Sequence, residues 1–126
     1  MKSNIQVPES LRVWFVIHFV VDILFAIPLL FFPEVIMPLL GWTVVDPITS
    51  RLVGAALLGI GGESLLGRNA SREVFSAMLN LKILWASSAV LGIGLGIAAG
   101  GPPMAWGFLV VFVIFGGIWI YYRSKI

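Results

Sequence analysis

The stretch Val13-Trp14-Phe15-Val16-Ile17-His18-Phe19-Val20-Val21-Asp22-Ile23-Leu24-Phe25-Ala26-Ile27-Pro28-Leu29-Leu30-Phe31-Phe32 is apolar but for two ionisable side chains, His18 and Asp22. It matches the ~20 residues that an α-helix needs to cross the hydrocarbon core of a bilayer. Its flanks define the element: Pro8 and Glu9 suit a helix first turn, and Pro33 acts as the stop. The span is therefore predicted from about 8 to 32, with Pro28 kinking or ending it near the outer face. Lys2 ahead of an apolar run gives the segment the look of a secretory signal. Its length, His18 and Asp22, and the lack of a small-residue cleavage site before Pro28 read instead as a retained helix.

The rest of the chain has the same character. Of 126 residues, 60% are apolar and 11% charged, against roughly 25% charged in soluble domains. Asp46-Pro47 is a helix start, an acid at the N-cap with proline at the first position, and Gly67 ends that span. Ser71 can cap a third span, with Glu73 in its first turn, and Gly100-Gly101-Pro102-Pro103 forces a turn before a fourth. Residues 33–42, with Pro33 and Pro38, are too few to cross and read as a connector along the interface. The prediction is an all-α fold: one transmembrane domain over 1–126, a four-helix bundle with spans at about 8–32, 47–66, 72–99 and 104–122. A short interfacial connector joins helices 1 and 2.

Lys2, Arg12, Arg68, Arg72, Arg123 and Lys125 flank one side of these spans, while the opposite loops carry no cation apart from Arg51, just inside the second span. The positive-inside rule then places both termini in the cytoplasm, for a multi-pass protein of the cell membrane. Two aromatic belts fit this orientation: Trp14, Trp119, Tyr121 and Tyr122 inside, and Phe31, Phe32, Trp42 and Trp106 outside. The sequon Asn69-Ala70-Ser71 faces the wrong compartment for glycosylation. With no cysteine and one histidine, the chain has no means of forming disulfides, thiolate metal sites or a bis-histidine haem. No cofactor or metal is expected. A net charge of +2, thinly spread, is no nucleic-acid footprint.

Helices in lipid associate through small residues and hydrogen bonds. Ala55 and Gly59, with Gly62 adjoining, and the series Ser88, Gly92, Gly96 and Gly100 read as contact surfaces, serving intramolecular packing or a homo-oligomer. Six residues do not belong in hydrocarbon: His18, Asp22, Arg51, Glu63, Asn80 and Lys82. His18 and Asp22, four apart, share a helical face on which the carboxylate can orient the imidazole. Counting about 1.5 Å per residue from the helix ends puts Asp22 and Arg51 at similar depth, close enough for a salt bridge. The same count places Glu63 beside Arg12, His18 level with Lys82, and Asn80 nearby. The set is read either as pairs that fix helix neighbours or as the lining of a polar cavity.

No nucleophile elbow, His-Glu-x-x-His or phosphate loop occurs, so no catalytic residue is assigned. Gly92-x-Gly94-x-Gly96 lies within a span with no preceding strand, which makes it a packing feature. The pattern Phe31-Phe32-Pro33-Glu34, Leu39-Leu40-Gly41-Trp42, Asp46-Pro47 and Arg51-Leu52-Val53-Gly54-Ala55-Ala56-Leu57-Leu58-Gly59-Ile60-Gly61 resembles small four-span membrane proteins of the DoxX-like and related groups. There a short Pro-Glu connector leads to an Arg-led, glycine-containing second helix, and some members are described as accessory proteins. The resemblance implies the fold and no catalytic residue. The favoured function is a non-enzymatic module that binds a lipid or small molecule, or acts as an accessory protein, through a polar intramembrane pocket. The alternatives are a proton- or ion-coupled small transporter acting as an oligomer, and a membrane enzyme on a lipid or quinone.

Overall fold

The computed structural model describes residues 6–126, so the positive flank at Lys2 lies outside the described residues. Five α-helices follow in order: α1 Glu9–Phe31, α2 Pro33–Leu39, α3 Pro47–Leu66, α4 Arg72–Ala98 and α5 Met104–Lys125. Among the described residues there is no strand. Three helices, α1, α4 and α5, are long and apolar enough to cross a membrane. α3 has the length, 20 residues, without the same apolarity.

The helix boundaries follow from local chemistry. Asp46 caps α3, its Oδ1 accepting from the backbone N–H of Ile48 at 2.9 Å and of Thr49 at 3.3 Å. Ser71 caps α4 through the N–H of Val74. Pro28 does not end α1, which runs on to Phe31. α2 is the short connector expected, and it stops where Gly41 takes φ +100°. There Gly41 N–H donates to Pro38 O and Trp42 N–H to Met37 O, the paired bonds of a Schellman motif. α4 ends in the same way: Gly100 has φ +94° and donates to Ile97 O, and Gly101 donates to Gly96 O. Both left-handed positions need glycine, because a Cβ there approaches the following carbonyl. α5 continues three residues past Tyr122, with Arg123 and Lys125 in its last turn, where cations favour the helix C-terminus.

The chain forms two compact units. In Pro8–Asn69, α1 and α3 run antiparallel. Their buried residues, Leu11, Phe15, His18, Asp22, Ala26 and Leu29 on one and Ser50, Gly54, Leu57, Gly61 and Ser64 on the other, recur at steps of three and four. That is the seam of a knobs-into-holes pair. Glycine brings the backbones close: a Cβ at Gly54 would lie 3.0 Å from both Leu29 Cβ and Leu30 N, and one at Gly61 only 2.6 Å from Asp22 Cβ. The expected face of Ala55, Gly59 and Gly62 is not this seam. Ala55 and Gly59 are exposed, and a Cβ at Gly59 or Gly62 meets nothing within 4 Å among the described residues.

In Ala70–Ile126, α4 and α5 also pair antiparallel. Trp85 meets Phe112 edge-on with ring centroids 5.9 Å apart, and a Cβ at Gly116 would touch Ala86 Cβ at 3.3 Å. Trp119, read from sequence as a belt residue, is instead buried and stacked on Phe115, and Tyr122 is buried as well. Tyr121, Phe31, Phe32 and Trp106 are exposed. The expected contact row Ser88, Gly92, Gly96 and Gly100 is exposed, and a Cβ at Gly92 or Gly96 would meet nothing within 4 Å among the described residues. The buried positions of α4 end at Ala86, two residues before that row begins.

Candidate functional site

The seam between α1 and α3 is apolar or glycine except at a few polar positions, and three of these come together. His18 and Asp22 stand one turn apart on α1, with His18 Nε2 3.4 Å from Asp22 Oδ1. The other ring nitrogen, Nδ1, lies 3.4 Å from Ser64 Oγ on α3. These side chains are 3, 6 and 0% exposed, so the cluster is sealed within the helix pair. Gly61, three residues before Ser64, is what admits Asp22: the carboxylate and its Cβ occupy the space a side chain there would fill.

Hydrogen-bond donors and acceptors fix how this cluster can be protonated. Ser64 Oγ reaches the carbonyl of Ile60 at 2.9 Å. With the hydroxyl proton on Ile60, Ser64 accepts from Nδ1–H, and one proton remains to be shared between Nε2 and Oδ1. With the hydroxyl turned to Nδ1, Nε2–H donates to the carboxylate. The three residue types are those of a nucleophilic triad, but Ser64 is fully buried in the last turn of α3. Helical backbone N–H groups are already spent on carbonyls and cannot stabilise an oxyanion.

The remaining members of the six-residue set are dispersed. Lys82 is 2% exposed in the α4–α5 unit, with Nζ 5.0 Å from the Trp119 ring centroid, a cation–π contact. Asn80 is exposed and accepts from Arg123 Nε at 2.8 Å. Arg51 does not meet Asp22. Its Nε donates to Leu30 O at 3.0 Å and its Nη1 lies 3.7 Å from Glu34 Oε1. Asp22 faces Gly61, ten residues and about 15 Å along α3 from Arg51. Glu63 is exposed, with no carboxylate salt bridge among the described residues, while Arg12 donates to Arg68 O at 2.8 Å.

Ser64 does not stand out in the sequence, because an uncharged serine in a largely apolar helix is common. Its signal was spacing: Ser50, Gly54, Leu57, Gly61 and Ser64 fall at the alternating steps of a seam. Among the described residues no three His, Cys, Asp or Glu side chains gather as a metal site. The chain matches no protein-family model, no curated protein and no solved structure.

Proposed function

We propose that the chain is a multi-pass integral membrane protein in which His18, Asp22 and Ser64 form a polar site within the bilayer. Its role is non-enzymatic: a small-ligand or lipid-binding module, or an accessory subunit. The observation that carries this reading is the burial of those three side chains, 3, 6 and 0% exposed, on a helix apolar enough to cross a membrane. Ionisable groups at such depth are expensive, at least ~2.5–3.5 kcal/mol on insertion scales, and mark pathways and binding sites by default. Lys82, buried in the other unit, is a second group of this kind. Arg51, Glu63 and Asn80 belong to the ends and outer faces of the helices in this reading.

Four crossings follow if α3 accompanies α1. The two are clamped at one end by Arg12 on Arg68 O and at the other by Arg51 on Leu30 O. A helix of 20 residues reaches about 30 Å, the thickness of the hydrocarbon core. Arg12, Arg68, Arg72, Arg123 and Lys125 then favour the cytoplasmic side of the cell membrane for both termini. The DoxX-like resemblance is consistent with an accessory role.

The test is native mass spectrometry of the protein released from native membranes, read beside thermal unfolding. The expected result is a small molecule or lipid retained by wild type and lost in His18→Gln and Asp22→Asn variants that still fold. Retention of nothing by wild type, with both variants merely less stable, would make the cluster a structural lock and overturn the proposal.

One observation favours a second reading, proton-coupled transport: His18 Nε2 and Asp22 Oδ1, two groups that can exchange a proton, lie buried and 3.4 Å apart. Under that reading proteoliposomes show substrate flux driven by a proton gradient, and Asp22→Asn abolishes it. Gradient-independent flux, or flux that survives Asp22→Asn, rejects it.

A further inference from the structure

Asn80 places an amide on the exposed flank of α4, where lipid offers it no hydrogen bonds. Its oxygen is satisfied by Arg123 Nε at 2.8 Å, a bond from the last turn of α5 to the first third of α4. A guanidinium has five N–H donors in one plane. Engaging Nε sets the orientation of that plane, and the four N–H groups on the two Nη atoms have no acceptor among the described residues. The other cations at this end of the unit differ. Arg72 is occupied by Ile126 O at 3.0 Å and by Glu73 at 3.4 Å. Lys125 lies 5.5 Å over the ring of the exposed Tyr121, which leaves its ammonium donors to the surroundings.

We infer that this corner of the α4–α5 pair holds the phosphate of an anionic phospholipid, with the Nη groups of Arg123 as its fork and Lys125 as the second cation. A guanidinium fork matches the oxygens of a phosphodiester in a way that an ammonium does not. The acyl chains have a surface to lie on: Leu84, one turn from Asn80 on α4, and Ile120, one turn from Arg123 on α5, are both exposed. Tyr121 stands where headgroups meet hydrocarbon. Asn80, unexplained as part of an interior cavity, acts here as the residue that positions Arg123. The inference rests on the membrane reading above and is independent of the His18 cluster.

The experiment uses the full chain in detergent with equal amounts of phosphatidylglycerol and phosphatidylcholine, scored by native mass spectrometry. Wild type carries phosphatidylglycerol in preference. Arg123→Gln lowers that preference by about fivefold, the effect of one cation near a charged surface. Arg123→Lys, which keeps the charge and loses the fork, recovers it in part, and Asn80→Leu lowers it with every charge intact. Equal adducts of the two lipids, or an unchanged preference in both Arg123→Gln and Lys125→Gln, overturn the inference. So does displacement by inorganic phosphate at the lipid's own concentration, which would mark a site for free anions. Carbonate extraction of native membranes tests the underlying premise separately: a stripped protein fails the membrane reading, whereas a retained one with no lipid preference fails only this site.

Discussion

At position 61 any residue but glycine carries a Cβ into the space of Asp22, 2.6 Å from its Cβ and 3.0 Å from its Oδ2. Neither helix has room to yield, since the same seam closes at Gly54 on Leu29 and Leu30. Gly61→Ala is expected to destabilise the protein by about 1–3 kcal/mol, the usual penalty of overpacking. Gly59→Ala and Gly62→Ala, in open surroundings, should stay within about 0.5 kcal/mol. Thermal unfolding in one detergent compares all three, and equal losses at 59 and 61 would contradict the seam. Because His18 is the only histidine, its ring nitrogens give a single pair of NMR signals. These should move in Gly61→Ala and hold still in Gly59→Ala.

Much of this site was legible residue by residue. His18 and Asp22 stood out because ionisable groups in an apolar run have no cheap alternative to burial, and their four-residue spacing predicted the contact now seen at 3.4 Å. Gly61 and Ser64 were not legible in the same way. In α3 every third or fourth residue is small, so several faces qualify as close-packing surfaces. Composition cannot choose among them, because the choice depends on which face the partner helix fills.

At the scale of the element, the arginines act as clamps between antiparallel helices. Arg51 on α3 donates to Leu30 O near the C-terminus of α1, Arg12 on α1 donates to Arg68 O just past the end of α3, and Arg72 on α4 donates to Ile126 O at the end of α5. Leu30 O is a carbonyl that the end of α1 leaves without an internal partner, and Arg68 O and Ile126 O lie just beyond the C-terminal ends of α3 and α5, at the negative pole of each helix dipole. The ion pair between Arg51 and Glu34 is largely exposed and 3.7 Å long, so it adds at most about 1 kcal/mol. Arg51→Met should therefore lower stability by about 1–2 kcal/mol, chiefly through the abandoned carbonyl, and Glu34→Gln by less than about 0.5 kcal/mol. A double-mutant cycle of Arg51→Met with Asp22→Asn should be additive within about 0.5 kcal/mol. Coupling well above that would restore the pair expected from depth counting. That expectation erred because it set the start of α1 and the end of α3 at one level. Asp22 faces Gly61 and Leu29 faces Gly54, so α1 begins about two turns (~12 Å) below the end of α3 and every later depth shifts. Helix limits were legible because caps and breakers are local, whereas register between helices is not.

For the whole molecule the proposed topology turns on which helix ends lie together. The antiparallel pairing within each unit puts the start of α1 with the end of α3, and the start of α4 with the end of α5. Between Leu66 and Arg72 lie five residues, which extended reach about 18 Å at most. The hydrocarbon core is ~30 Å thick, so a link of this length is too short to cross it. The proposed topology of four crossings, with the cations on the cytoplasmic face, rests on this pairing and on the positive-inside rule. The absence of native cysteine makes this directly readable, since each introduced thiol is the only one present. Asn69→Cys and Ser124→Cys should resist a membrane-impermeant maleimide in intact cells and label after permeabilisation, while Thr43→Cys and Pro103→Cys label from outside. If Asn69→Cys and Ser124→Cys label from opposite sides, α5 does not return across the bilayer and the four-span reading fails. If all four patterns invert together, the spans stand and only the orientation drawn from charge is wrong.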